Sequence, residues 1–383
     1  MFVPPEKVVQ TLKVVQMDKL DALLTTWNSR LPLPEPLQNR LDRKFSLEFN
    51  YNTNRIEGNQ LTYGQTELLL LFGKVVNEAN MRDLEEMKSH DVALKMMMSE
   101  AKEEKPLTEV FIRQLHQVMF REDYEERRTA PDGSVYSYTV HVGRYKTRGN
   151  SVRTRTGAYF EYASKEETPG LMFDLVRWYN EEEEKGTMSP IELAALFHYR
   201  YIRIHPFEDG NGRVSRLLMN YILLRHRYPM IVVRHKDKDH YLDALGKSDA
   251  LTDPRPSYGA RANLAQIGPF LDYMKKLLEK EIQDNLAFID DAAENVWWFN
   301  GDFVTFRSEN TCKMLRLLSE HPGMTVRELA EGVGINKSAI QKQLASLQEK
   351  GYIVRTNGKR GTWHVAIVCT TWNGGTNEKR WYK

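Results

Sequence analysis

Residues 205–216 read His-Pro-Phe-Glu-Asp-Gly-Asn-Gly-Arg-Val-Ser-Arg, which sets a proton acceptor, a carboxylate, a glycine turn and two guanidiniums side by side. Gly210-Asn211-Gly212 lets the backbone take φ values closed to residues with a Cβ, so successive N–H groups can converge on an anion. The run from Val214 to Leu224 lacks Gly and Pro and carries apolar residues at helical spacing, so the turn opens a helix. A helix N-terminus offers unpaired N–H donors and the positive end of the dipole, which suits phosphate. Arg213 and Arg216 are three apart, lie on one face of the first turns and can clamp one polyphosphate. Asp209 can reach a magnesium ion shared with those phosphates, and His205 suits proton abstraction near neutral pH. Taken singly, a His-Pro is usually a turn, a Gly-x-Gly a loop and such an Arg pair a solvated face. Their conjunction in this order points to a triphosphate site.

The order resembles the signature of the Fic family, His-Pro-Phe-x-Asp/Glu-Gly-Asn-Gly-Arg-x-x-Arg, with every fixed position present. Residues 190–204 resemble the helix that precedes that signature, and the similarity extends over most of residues 1–280. The resemblance implies transfer of AMP from ATP to a Ser, Thr or Tyr hydroxyl of a protein, the chain itself included, with release of pyrophosphate. It assigns His205 as the general base, Asp209 to Mg2+, Gly210, Asn211 and Gly212 to the phosphate cradle, and Arg213 and Arg216 to the distal phosphates. Arg216 takes the γ-phosphate. Phe207 reads as a core anchor for the loop. Asp239-His240-Tyr241 resembles the place where family members set a tyrosine near the adenine, which nominates Tyr241.

Thr53-Asn54-Arg55-Ile56-Glu57-Gly58 matches the inhibitory motif of the same family, Ser/Thr-x-x-x-Glu-Gly/Asn, and precedes the catalytic motif in the chain. The resemblance implies a helix carrying Glu57 beside the site, its carboxylate competing with the γ-phosphate for Arg216. Two other readings stay open. In one, the chain is a DNA-binding transcriptional regulator whose Fic domain senses nucleotide or modifies only itself; in the other, Glu57 positions water and the site removes AMP.

The elements that must hold these residues are mostly helical. Helices are expected over 8–28 and 36–50, separated by the proline-bearing segment 31–36, then over 61–75, 81–103 and 107–121. His116 falls in the last of these and reads as structural. Residues 132–162 break the helical period, with alternating β-branched and aromatic positions from Val135 to Val142. By resemblance, residues 150–162 form the β-hairpin flap on which a protein substrate docks by strand addition; Arg153 and Arg155 hint at an acidic target. The run Glu181 to Lys185 reads as a solvated helix end.

From residue 311 to 366 the pattern is helix, helix, helix, hairpin, which looks like a winged helix-turn-helix with residues 336–351 in the recognition position. Nine Lys or Arg stand there against four Glu, and Lys337, Lys342, Lys359 and Arg360 are the candidate phosphate contacts to DNA.

The expected fold class is therefore mainly α: a Fic-type helical core with a β-hairpin flap, followed by a winged helix-turn-helix. Residues 1–105 carry the inhibitory motif, 106–285 the catalytic core and 286–383 a linker and the winged domain. With 383 residues the chain is long enough for two or three domains. Its 54 Lys plus Arg nearly balance 52 Asp plus Glu, which argues against bulk attraction to nucleic acid or anionic membrane. Two distant cysteines, Cys312 and Cys369, suggest a reducing compartment. Residues 1–7 lack a basic stretch followed by an apolar core, and the apolar run 68–72 is too short to cross a bilayer. The expectation is a soluble cytoplasmic protein, with a homodimer left open.

Overall fold

The computed structural model describes residues 19–369, except 34, 76–78, 104, 130–132, 154–158, 291–295, 300–301, 307 and 357–360. Two large apolar cores organise them, with a small third cluster of Leu61, Leu69, Leu84 and Met87. The larger collects side chains from Leu20 to Phe288, and the smaller runs from Trp297 to Ile367.

The first unit begins with α1 (Lys19–Ser29) and α2 (Glu35–Ile56). Helix α2 runs past the expected end at residue 50, so Thr53 is helical and Glu57 stands in the turn just beyond the last helical residue. The expected helix over 8–28 is described only from Lys19 onward. Next come α3 (Tyr63–Phe72), opened by a Thr62/Gln65 capping box, α4 (Met81–Glu100), capped by Asn80, and α5 (Glu109–Phe120), capped by Thr108.

Strand β1 (Tyr124–Thr129) then pairs antiparallel with β2 (Val135–Val140), Tyr124 facing Val140. Sequence periodicity marks β2 but not β1: Tyr-Glu-Glu-Arg-Arg-Thr carries no apolar alternation, because a two-stranded ribbon buries little on either face. Within the expected flap, β3 (Ser151–Arg153) pairs with β4 (Tyr159–Glu161), Val152 opposite Phe160. The tip of that hairpin, with Arg155, lies outside the described residues.

Helix α6 (Thr168–Lys185) ends at Gly186 in the left-handed region, where the acidic run is a helix end as expected. Helix α7 (Pro190–Ile204), opened by a Ser189/Glu192 capping box, packs against α8 (Asn211–Arg225), in which nearly every residue from Asn211 to Leu223 is buried. A helix enclosed on all sides is a rigid platform, and the candidate site sits at its N-terminus. Around this pair lie α9 (Lys238–Asp249), α10 (Pro256–Gly259) and α11 (Gly268–Asp290).

The second unit opens with a hairpin that the sequence period did not mark, β5 (Val296–Phe299) with β6 (Asp302–Thr305). Helices α12 (Glu309–Glu320), α13 (Val326–Val333) and α14 (Lys337–Glu349) follow. A wing of β7 (Ile353–Arg355) and β8 (Trp363–Val365) comes next, and β9 (Val368–Cys369) returns to β5. Helix α14 buries Ile340, Leu344 and Leu347 and leaves Lys337 and Lys342 exposed. Lys359 and Arg360 of the wing lie outside the described residues. Among the described residues no helix is long and apolar enough to cross a membrane.

Candidate active site

Helix α7 stops at His205, which takes a left-handed conformation (φ 52°, ψ 61°) and donates its N–H to Tyr201 O at 2.9 Å. Pro206 explains the stop, since a proline cannot continue the ladder. A left-handed non-glycine residue costs about 1 kcal/mol, so the loop after it needs outside support. Phe207 supplies part of it: fully buried, its ring stacks on His116 with centroids 4.0 Å apart. Asn211 closes the loop from the other end, its side-chain oxygen accepting from Phe207 N–H at 2.9 Å and its amide donating to Phe207 O at 2.8 Å. The Asn211 side chain is thereby spent on the loop, leaving its backbone to the cradle. Gly210 initiates α8 at φ 74°, where a Cβ would run into the Phe120 ring, and no side chain caps the first turn of amides.

The two arginines project from the first two turns of α8 and both are buried, Arg213 at 6% and Arg216 at 1% exposure. Arg213 approaches Asp209 Oδ2 (3.5 Å) and Glu86 (3.8 Å) and lies over the Phe120 ring. Arg216 donates to Glu57 Oε1 at 2.6 Å, to Thr53 Oγ1 at 3.2 Å and to Thr53 O at 3.3 Å. The Glu57 carboxylate does more than pair with Arg216. Its Oε1 lies 2.5 Å from where a Cβ on Gly212 would stand, directly against the first turn of α8. An anion from the chain itself thus occupies the place where a helix N-terminus and two guanidiniums favour one. Lys238 Nζ donates to Ile56 O at 2.7 Å, which fixes the end of α2 and hence Glu57.

Asp209 accepts a hydrogen bond from Tyr124 Oη at 2.6 Å. Burial pushes the Asp209 carboxyl up, but the Arg213 charge, the Tyr124 hydroxyl and the Gly210 N–H outweigh it and hold it below its ordinary value. An ionised carboxylate beside the N-terminus of α8 has the chemistry of a ligand to a hard, oxygen-seeking cation. Among the described residues no cluster of three or more His, Cys, Asp or Glu could hold a metal by itself.

His116 is structural, as its sequence context suggests. Its Nε2 contacts Asp209 O at 3.1 Å and its Nδ1 accepts from Gly143 N–H at 2.9 Å, which assigns the neutral Nε2–H tautomer. Burial drives its pKa down from 6.5 to about 4, against the opposing bond to Asp209 O. Between those values the unfolded chain binds a proton that the native state refuses. The stability is therefore complete above pH 6.5 and lost as pH falls towards 4, by on the order of 3 kcal/mol. Thermal melts at pH 7 and pH 5 should show about 2 kcal/mol of this loss, and His116→Gln should flatten the slope; an unchanged slope would refute the assignment.

Residues 141–150 hold the loop in a way that no motif announced. Lys146 donates its backbone N–H to Pro206 O (2.8 Å) and its Nζ to Ile204 O (3.0 Å), while the Asn150 amide reaches Phe207 O (3.1 Å). Glu208, the variable position of the motif, accepts from Thr147 N–H, Thr147 Oγ1 and His141 N–H. Tyr241 sits behind Arg216 rather than on an open wall: it is 3% exposed, and its hydroxyl meets His198 Nε2 at 2.8 Å.

The structure thus gathers His205, Asp209, Gly210, Gly212, Arg213 and Arg216 with Thr53 and Glu57 about the start of α8. The Fic/DOC family model matches residues 106–223, and a winged helix-turn-helix DNA-binding model matches residues 307–354. A solved Fic domain containing signaling protein from Bacteroides thetaiotaomicron is 48% identical, with a TM-score of 0.65 over 70% of this chain and 96% of that one. A Fic family protein from Desulfovibrio desulfuricans, 19% identical, shares the fold over 98% of this chain and 100% of its own at a TM-score of 0.53. Protein adenylyltransferase fic-1 of Caenorhabditis elegans is 29% identical over 260 residues, 67% of this chain and 44% of that protein. The chain spans about half the length of the curated relatives it matches. On the 48% identity that reaches nearly the whole of the Bacteroides protein, and on the motif that the geometry assembles, the chain belongs to the Fic family.

Proposed function

We propose that the chain is a protein adenylyltransferase that restrains itself through Glu57. His205 takes the proton of a Ser, Thr or Tyr hydroxyl. The freed oxygen attacks the α-phosphorus of ATP, and the bond to the bridging oxygen breaks as pyrophosphate leaves. The amides of Gly210 to Gly212 and the guanidiniums of Arg213 and Arg216 stabilise the charge that grows on the leaving group. Asp209 would hold Mg2+, which would further neutralise the phosphates. A target segment docks on the β3–β4 hairpin by adding to it as a strand.

The observation that carries the proposal is the Glu57 carboxylate lodged at the N-terminus of α8 on Arg216, a stand-in for phosphate in a cradle built for one. It also supports the restraint. Three carboxylates, Asp209, Glu57 and Glu86, already face two guanidiniums, so a triphosphate enters only when one of them withdraws.

Intact-mass measurement after incubation with Mg2+ and each of several nucleoside triphosphates tests the reaction and the donor together. An AMP-mass adduct from ATP is expected on Glu57→Gly or on an added protein. No adduct from any nucleotide would overturn the reading. In the second unit, exposed Lys337 and Lys342 on α14 favour contact with duplex phosphates. Duplex binding should then weaken with salt, and Lys337→Ala should reduce the logarithmic salt slope by about 1; binding indifferent to salt would exclude this.

A further inference from the structure

The flap touches the catalytic loop through its aromatic residues. Tyr162, the first residue after β4, lies face to face with His205, ring centroids 3.8 Å apart and planes 14° from parallel. Two positions earlier, Phe160 meets Tyr162 edge-on at 5.2 Å and lies beneath the Arg203 guanidinium at 4.7 Å. Next to Tyr162 in the chain, Ala163 N–H donates to Arg203 O at 3.3 Å. Arg203 is itself 2% exposed and paired to Asp249 at 2.7 Å, so the far side of the contact is fixed. The root of the hairpin is therefore fastened to residues 203 and 205 by two rings and one backbone hydrogen bond.

An imidazole in this position needs such a contact. The χ2 torsion of histidine is broad and has no staggered well, so its ring plane is set by neighbours. A parallel ring at van der Waals distance restricts that plane, because the imidazole cannot turn about χ2 without running into it. Tyr162 does not compete for the proton: burial first, then the Asp249 charge, pushes its phenol up to about 12, so the ring is neutral wherever a histidine works as a base.

We propose that Tyr162 is the positioning residue of the base, holding the plane of the His205 imidazole so that a target segment docked on the β3–β4 hairpin aligns the base through that ring. This rests on His205 being the base. Docking and proton abstraction are thereby linked: the hairpin that receives the target is followed directly by the ring that orients the acceptor of its proton.

The test uses the full chain carrying Glu57→Gly. Replacing Tyr162 by Leu removes the stacking surface, whereas Phe keeps it. Tyr162→Leu is expected to lower kcat by about 10-fold with KM for ATP unchanged, and Tyr162→Phe to stay within about 2-fold. In the NMR spectrum of histidine-labelled protein the His205 ring protons should be shifted upfield by the facing ring in wild type and Tyr162→Phe, and should relax downfield in Tyr162→Leu. Wild-type His205 signals without an upfield shift, or a Leu variant with full kcat, would overturn the proposal. Full activity of His205→Ala would instead remove the base assignment while leaving the ring shift as found, so the two failures are distinguishable.

Discussion

Replacing Glu57 by glycine should raise the rate of AMP transfer by about ten- to a hundredfold. A hydrogen bond to a charged group is worth about 1.5–3 kcal/mol, which is that factor in the population of sites free to take a phosphate. The Arg216–Glu57 contact at 2.6 Å is of this kind, and Arg216 is 1% exposed. Removing the carboxylate does not leave Arg216 stranded, because Thr53 Oγ1 and Thr53 O still accept from it. Nor should α2 detach: Lys238 Nζ on Ile56 O and the Asn59 amide on Asp83 O do not involve the Glu57 side chain. Glu57→Gln, which keeps the shape and loses the charge, should fall between wild type and Glu57→Gly. Equal rates for all three, measured as labelled AMP incorporated at saturating ATP, would sink the restraint while leaving the transferase reading intact.

Glu57 and the catalytic motif differ in how readily the chain discloses them. The residues 205–216 are contiguous because one turn and the start of one helix suffice to place them, so their chemistry is legible from spacing alone. Glu57 meets Arg216 across 159 positions, and only the likeness to a known motif suggests that contact. Nothing local suggests the clamp formed by Lys146, Thr147 and Asn150: these are polar residues in an irregular segment, and their meaning lies in two carbonyls and the Glu208 carboxylate some 60 positions away. The same holds for Tyr124, hidden in a strand without alternation, and for Tyr162, whose partner is His205.

The length of α2 shows propensity losing to tertiary context. Asn50, Asn52 and Asn54 are poor helix formers, which favours ending the helix near residue 50. In the fold their side chains find fixed partners. Asn50 donates to Asp91 Oδ1 and meets His90 Nδ1, Asn54 donates to Asn50 O, and Asn52 accepts from His235 N–H. Those bonds carry the helix on to Ile56 and place Thr53 against Arg216.

Replacing His205 by alanine should cost still more than removing Glu57 gains: about 10²- to 10⁴-fold in kcat, the span for loss of a positioned general base. The loss should persist in the Glu57→Gly background, since the two changes act on different steps, proton removal and phosphate entry. Alanine at position 205 must keep the left-handed backbone (φ 52°), a strain of about 1 kcal/mol that it shares with histidine. The loop does not depend on the imidazole to stay in place. Lys146 N–H on Pro206 O, the Asn150 amide on Phe207 O, and Phe207 buried against His116 all remain. ATP affinity, read by calorimetry on His205→Ala/Glu57→Gly, should therefore match that of Glu57→Gly alone, while labelled AMP incorporation disappears. A parallel fall in affinity would make His205 a support of the cradle instead of the acceptor of the proton. Retention of full transfer would move the base to another side chain.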